Sequence, residues 1–273
     1  MKEQADESLA RLQQILSGMG SALLAFSGGV DSALLLALGR ETLGEGLLAV
    51  TASSPLYPPI TIERARGLAG RLGVEHVVIE TDELSDEHFT ANPPDRCYLC
   101  KRELYGSLAE IARSRGIPHV VDGAQLDDLG DYRPGMRAAR EFGVRSPLIE
   151  AGATKAEVRS LSRRLRLETW DMPAGPCLAS RIPYGRRITI EKLEAIQQGE
   201  RILDELGLRE VRVRFTDEDT ARIEVPLPSL HVLLRDGVRE RIVREMKELG
   251  FLYVTMDLEG FRSGSMNLAL RQS

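Results

Sequence analysis

An apolar run at residues 22–26 breaks into Ser27-Gly28-Gly29-Val30-Asp31-Ser32, and a helical pattern follows at once. No other feature limits the fold as much. A strand that is apolar on both sides belongs inside a parallel sheet covered by helices on both faces. A strand that passes through two glycines into a helix turns backbone N–H groups toward one anion and adds the positive end of the helix dipole. The six residues therefore predict a phosphate cradle. Ser27, Gly28, Gly29 and Ser32 are expected to bind the phosphates of a nucleotide, and Asp31 to hold Mg²⁺ against them. The competing possibility is an ordinary glycine turn. No Gly-Lys-Ser/Thr step occurs in the chain, so the lysine that a kinase-type loop aims at the β- and γ-phosphates is absent.

The Ser-Gly-Gly-x-Asp-Ser form resembles the pyrophosphatase loop of the N-type ATP pyrophosphatases. That resemblance implies cleavage of ATP between the α- and β-phosphates and adenylation of an oxygen on the substrate.

Strand and helix patterns alternate around the loop. Short β-rich runs at 22–26, 47–51, 76–80 and 119–123 flank helical stretches near 32–43, 61–72 and 101–115, the second opening on Thr61 as N-cap. This rhythm predicts an α/β domain, a parallel sheet with helices on both faces, whose ligand lies beyond the carboxyl ends of the strands. Thr51, at the end of the second strand, is expected to border the adenine and ribose, and Gly123 to join the nucleotide site from the fourth. A further helix starts at Thr154, where Glu157 completes a capping box. Residues 170–188 are rich in Pro, Gly and Arg and read as an ordered loop. A helix at 189–206, strand runs at 210–215 and 221–225, an amphipathic segment at 229–249 and a last strand at 252–257 then predict a smaller α+β domain. The expected division is 1–185 for adenylation and 186–273 for a contribution to substrate binding.

A chain of 273 residues can bury a full core and hold two domains. Its net charge of −5 argues against a long nucleic-acid partner. The first residues lack the basic-then-apolar layout of a signal peptide, and no apolar run has the length to span a bilayer. The expected location is the cytoplasm, away from membranes. Three cysteines argue against a secreted disulfide scaffold.

Cys97-Tyr98-Leu99-Cys100 stands at the start of a helical pattern, where the dipole favours thiolate. Cys177 follows Gly175-Pro176 and precedes Arg181. Three thiolates are one short of a structural zinc site. They suit a [4Fe–4S] cluster with one iron left for an exogenous sulfide. Zinc with a histidine, a redox dithiol and plain structural thiols stay open as alternatives. Cys177 can also be read as an activated sulfur nucleophile beside an adenylation site, a role that competes with ligation.

Asp122-Gly123 and Asp127-Asp128 fall at a strand's carboxyl end, where they fit nucleotide and Mg²⁺ contacts or, equally, a polar loop with Asp caps. Arg212 and Arg214 alternate with Val211 and Val213 and share one strand face. Paired guanidinium forks suit a phosphate or two carboxylates; the bland alternative is a solvated outer face. Arg181 and Glu200 are placed with them among the substrate-binding residues, and Glu224 could add a metal ligand or base.

Nearly the whole chain resembles the ATP-dependent sulfur transferases that build the nickel-pincer nucleotide cofactor of lactate racemase. The resemblance runs through Ser27 to Ser32, Asp122-Gly123, residues 128–135, the loop with Cys177, Ser180 and Arg181, and Val211-Arg212-Val213-Arg214. It implies that a carboxylate of a pyridinium dicarboxylate mononucleotide is adenylated with release of pyrophosphate, and that sulfur then displaces AMP to leave a thiocarboxylate. In single-cysteine members the cysteine at the Cys177 position gives up its own sulfur and becomes dehydroalanine. Cys97 and Cys100 set this sequence with the three-cysteine branch, in which a [4Fe–4S] cluster on Cys97, Cys100 and Cys177 carries an extra sulfide. The same resemblance implies ATP and Mg²⁺ as cofactors, a small nucleotide substrate and a closed homo-oligomer, and it leaves the sulfide source open. A tRNA thiolase of the same superfamily is the rival, and the acidic balance counts against it.

Overall fold

Four parallel strands carry the larger of two units in a computed structural model, which describes residues 2–130, 133–173, 175–262 and 264–267. Asp131 and Tyr132 of the acidic stretch and Ala174 of the Cys177 loop lie outside the described residues. The larger unit takes in the chain up to Ser54, Pro59–Glu83 and Asp95–Gly175. Its strands are β1 (Ala22–Ala25), β2 (Leu47–Ser53), β3 (Glu75–Glu80) and β4 (Val120–Val121), in the order β3-β2-β1-β4. Every pairing is parallel. The apolar run that ends in the glycine loop is thus a central strand.

Alternation along the strands feeds a core on each face. Leu24 and Ala49 join Leu34 and Leu38 of the helix Val30–Leu43, Leu68 of Pro59–Leu72 and Leu161 of Lys155–Arg164. Leu23 and Val50 turn the other way, into a cluster with Tyr105 and Leu108 of Arg96–Ser114 and Ala138 of Gly135–Glu141. The α/β layout with helices on both faces is as the sequence predicts. A helix the sequence reading did not assign, Lys2–Ser17, lays Leu12 and Leu16 into the first cluster. Their i, i+4 spacing was its signal.

Three boundaries move for physical reasons. The helix expected from Thr61 starts at Pro59, whose fixed φ suits a first turn. The helix expected from 101 starts at Arg96 and takes the C-x-x-C into its opening turn. β4 is only two residues long, and on its other edge Val121 bridges Arg145 in parallel, with the Asp122 N–H donating to the Arg145 carbonyl (2.9 Å).

The smaller unit takes in Pro55–Pro58, Leu84–Pro94 and the chain from Pro176 on. Its strands β5 (Arg212–Phe215), β6 (Thr220–Glu224) and β7 (Tyr253–Met256) form a sheet in that order, the first pair antiparallel and the second parallel. The helix Ile190–Glu205 is capped by Thr189, whose hydroxyl accepts from the Lys192 N–H. At Gly199 this helix comes so close to its neighbours that a Cβ would stand 3.2 Å from both Val213 and Met246. The amphipathic segment expected at 229–249 is not one helix. It breaks at Asp236-Gly237, where Gly237 takes a φ of +79° and its N–H donates to the Glu240 carboxylate (2.7 Å), starting Val238–Glu248 afresh. Among the described residues no helix is long and apolar enough to cross a membrane.

The capping box read from the sequence is present. The Glu157 N–H donates to the Thr154 hydroxyl (3.3 Å), and the Thr154 N–H donates to the Glu157 carboxylate (2.8 Å). Ser8 adds a third bond to that carboxylate (3.1 Å), tying the first helix to this one. Thr154→Ala should therefore cost about 1 kcal/mol, seen as a lower urea midpoint at unchanged m-value.

Candidate active site

The chain reaches the glycine loop from a strand end that is fixed on two sides. Phe26 donates its N–H to the Val50 carbonyl (2.8 Å), and its own carbonyl accepts the Thr51 hydroxyl (2.6 Å). His76 Nε2 lies 2.8 Å from the same hydroxyl oxygen. Because the Thr51 proton is committed to Phe26, His76 is the donor there. Burial, helped by Arg66, holds the His76 pKa below its ordinary 6.5, so the ring is neutral. Thr51, expected to border the nucleotide, turns its hydroxyl inward and locks β1 to β2.

Gly28 takes a φ of +69°, and a Cβ there would touch Ala65 at 3.4 Å. Only glycine adopts that backbone without cost. Gly29 is extended and caps the helix Val30–Leu43 with no side-chain hydrogen bond, while the first N–H groups of a helix have no intrahelical acceptor. Ser27 and Ser32 bring their hydroxyls within 3.0 Å of each other. From behind, Gly123 presses on the loop: a Cβ there would lie 3.1 Å from the Ser32 nitrogen. Ser27, Gly28, Gly29, Asp31, Ser32 and Gly123 are therefore brought together as the sequence implies.

Asp31 does not stand alone. Lys155 Nζ donates to both of its carboxylate oxygens, at 2.8 and 2.6 Å. The lysine opens the helix Lys155–Arg164, and its backbone N–H donates to Asp127 Oδ2 (2.7 Å). Sequence spacing could not find it, since 124 positions separate the pair.

The other acids serve their own loop. Asp122 accepts from the Tyr105 hydroxyl (2.7 Å), the Ser146 hydroxyl (2.7 Å) and the Ala124 N–H (3.2 Å). Burial, and then the neighbouring carboxylate, push the Tyr105 hydroxyl far above its ordinary pKa, which keeps it a donor. Asp128 accepts from the Gln125 N–H (3.0 Å), the Gln125 side chain (3.2 Å) and Arg133 (2.8 Å). The capped-loop reading describes Asp122 and Asp128.

None of the three cysteines is in a disulfide. Cys97 and Cys100 sit on the first turn of Arg96–Ser114, Cys97 exposed and Cys100 half-buried. The Cys100 thiol donates to Glu83 (3.4 Å), a buried acid that also accepts from Ser54 (2.7 Å) and that the sequence did not single out. Among the described residues no group of three or more His, Cys, Asp or Glu side chains is placed to hold a metal ion.

In the smaller unit Cys177 precedes the short turn Leu178–Arg181, whose Leu178 N–H donates to the Leu56 carbonyl (2.8 Å). Arg181 is 3% exposed, Arg212 8% and Arg214 5%, which rules out a solvated outer face. Arg181 donates to both oxygens of Glu200 (2.8 and 3.0 Å) and to the carbonyls of Pro176 (2.7 Å) and Cys177 (3.1 Å). Arg214 pairs with the fully buried Glu224 (2.6 Å) and donates to the Ser180 carbonyl (2.9 Å). Arg212 donates to the Val211 carbonyl (2.7 Å) and lies over the Phe261 ring, 4.8 Å from its centre. Burial, with Arg181 and Arg214 nearby, outweighs Glu200 and Glu224 and draws the Arg212 pKa down to about 10. Arg181, Arg212 and Arg214 are therefore buried close together, Arg181 on the partly buried Glu200 and on the backbone carbonyls of Pro176 and the partly buried Cys177.

No family model matches the chain. It is 43% identical over 265 residues to the uncharacterized protein slr1717 of Synechocystis sp., covering 97% of this chain and 98% of that protein. It is 39% identical over 265 residues to the pyridinium-3,5-bisthiocarboxylic acid mononucleotide synthase of Lactiplantibacillus plantarum, covering 97% of this chain and 95% of the synthase. A more distant likeness, 30% over 206 residues, joins it to the glutamine-hydrolysing GMP synthase of Aeropyrum pernix, covering 69% of this chain and 40% of the synthase.

Three measurements test this geometry. A lowered histidine pKa lets the unfolded chain take up its proton first as pH falls, so stability is whole above 6.5 and erodes as pH drops through the folded value. NMR should place the His76 titration below 6.5, and His76→Gln should flatten the acid limb of the stability profile. Glu200→Ala should cost about 3 kcal/mol in urea unfolding, because it leaves the Arg181 guanidinium buried without its carboxylate.

Proposed function

The chain belongs to the family of the pyridinium-3,5-bisthiocarboxylic acid mononucleotide synthase, and on that premise we propose that it adenylates a carboxylate of a pyridinium dicarboxylate mononucleotide and converts it to a thiocarboxylate. The observation that carries the adenylation half is the loop at residues 27–32. It offers first-turn N–H groups, two hydroxyls and a carboxylate at the end of a central strand. The likeness to GMP synthase supports the same ATP-dependent class.

Mg·ATP lies on Ser27, Gly28, Gly29 and Ser32, with Asp31 on the metal. The half-exposed carboxylate at the loop fits a hard cation that keeps part of its water. A substrate carboxylate oxygen attacks the α-phosphorus. The new carboxyl O–P bond forms as the bond to the bridging oxygen breaks, and pyrophosphate leaves. Arg212, with Arg214 beside it, supplies the positive charge for the phosphate of the substrate nucleotide. Arg181 and Glu200 set the backbone of the Cys177 loop, since Arg181 holds the carbonyls of Pro176 and Cys177.

Cys97, Cys100 and Cys177 would hold a [4Fe–4S] cluster. Thiols are the donor type such a cluster takes, and none of the three is tied up in a disulfide. Bound, such a cluster keeps one iron for an exogenous sulfide, the sulfur that the acyl-adenylate requires.

Protein purified and reconstituted without oxygen should contain about four irons per chain. It should release AMP and pyrophosphate only when the dicarboxylate mononucleotide is present; substrate-independent release, or none, would overturn the reading. Cys97→Ala should keep pyrophosphate release and lose repeated thiocarboxylate formation. If Cys97→Ala still makes thiocarboxylate once and Cys177 is found as dehydroalanine, the sulfur comes from Cys177 instead.

A further inference from the structure

We propose that Asn92 is a positioning residue for the three-cysteine site, its side-chain amide clasping the chain that leaves the Cys177 turn to the stretch that runs on into Cys97. The inference rests on the sulfur-transfer reading and deepens it. Three observations support it. First, Asn92 is fully buried, and its side-chain nitrogen donates to the carbonyls of Ile182 (3.2 Å) and Pro183 (2.8 Å). Second, its backbone stands at a φ of +58°, a left-handed conformation that few residues other than glycine adopt and that gathers at functional sites. Third, the main chain continues the clasp. The Gly185 N–H donates to the Asn92 carbonyl and the Ile188 N–H to that of Thr90, each at 2.8 Å.

The Cys177 turn is short of backbone donors, because Pro176 and Pro183 carry no N–H. Side chains hold it instead. Arg181 brackets the entry side through the carbonyls of Pro176 and Cys177. Asn92 brackets the exit side at Ile182 and Pro183. An amide suits that place: it offers two N–H donors to two carbonyls and brings no charge to be stripped of water. An aspartate of the same shape would turn an acceptor toward acceptors. The clasp also shortens a path. Along the chain Cys97 and Cys177 stand 80 positions apart. Through the clasp the path is five positions from Cys97 to Asn92 and five from Ile182 to Cys177. A shorter closed path has less conformational freedom to lose when thiols at its two ends take one cluster.

The test compares the full chain carrying Asn92→Gly or Asn92→Ser with the wild type, after reconstitution with iron and sulfide in the absence of oxygen. Glycine keeps the backbone conformation and removes the amide, while serine restores one donor. Asn92→Gly should hold its iron about tenfold less tightly against a chelator, as the loss of two hydrogen bonds implies, with a matching loss of the visible charge-transfer band. Asn92→Ser should fall between it and the wild type. Both should bind Mg·ATP as the wild type does, since the glycine loop belongs to the other unit. In chains without iron, iodoacetamide should reach Cys177 several times faster in Asn92→Gly, while the already exposed Cys97 reacts at its wild-type rate. Wild-type iron retention together with wild-type alkylation of Cys177 would overturn the proposal. So would an equal loss of Mg·ATP binding, or failure of both variants to fold, since Asn92 would then serve the fold as a whole. If the wild-type chain takes up no iron, the cluster reading fails while the role of Asn92 at the Cys177 turn is still decided by alkylation.

Discussion

The backbone of Gly28, held at a φ of +69°, is the constraint on which the nucleotide end of the larger unit depends. A parallel strand must stop, reverse the direction of its N–H groups and enter a helix within a few residues. Glycine permits that turn but does not enforce it. Enforcement comes from neighbours. Thr51 ties the last carbonyl of the strand end to β2, Val50 takes the Phe26 N–H, and Gly123 closes on Asp31 and Ser32 from the adjacent loop. A slip of β1 by one residue would exchange Leu23 and Leu24 between the two cores, so the apolar packing also fixes where the loop begins. The supports of the cradle, Phe26 and Thr51, are buried, and fixed supports orient the loop's dipoles before an anion arrives.

The smaller unit treats charge in the opposite way. Three arginines and two glutamates are withdrawn from water around β5 and the Cys177 turn. Burying ions costs more than their attraction returns unless the geometry is good and the remaining donors are satisfied. Arg181 meets that condition with a bidentate carboxylate and two backbone carbonyls. The consequence is geometric: the backbone on either side of Cys177 is set by a guanidinium rather than by regular secondary structure. Burial, and then the like charges of Arg181 and Arg214, draw the Arg212 pKa down to about 10.

What could be read from the sequence was local. The loop at 27–32, the β–α rhythm, the capping box at Thr154 and the pairing of Arg212 with Arg214 on one face all depend on residues within a few positions of one another. Such patterns survive folding because backbone geometry alone connects them. The helix Lys2–Ser17 is legible in its leucine spacing. Lys155 was not legible, because its partner lies 124 positions away and only the packing of its helix on Val30–Leu43 brings them together. Glu83 and Tyr105 were hidden for the same reason. The inward turn of Thr51 needed His76 from a neighbouring strand to be seen. The amphipathic pattern at 229–249 misled in another way: hydrophobic period continued across Asp236-Gly237, although a glycine at a φ of +79° restarts the helix.

The acidic stretch after β4 shows why carboxylates at strand ends overcount metal ligands. A loop leaving a parallel sheet exposes N–H groups that have lost their ladder partners, and these must be satisfied first. Asp122 and Asp128 are consumed by that demand, down to the side chains of Tyr105, Ser146 and Arg133. Asp31 is different because both of its carboxylate oxygens accept from an ammonium, that of Lys155. The distinction is one of burial. Arg181 and Glu200 form a pair whose rupture strands a charge in a dry interior, so that contact is permanent scaffolding. Asp31 and Lys155 keep contact with water, so their net contribution to stability is close to nothing.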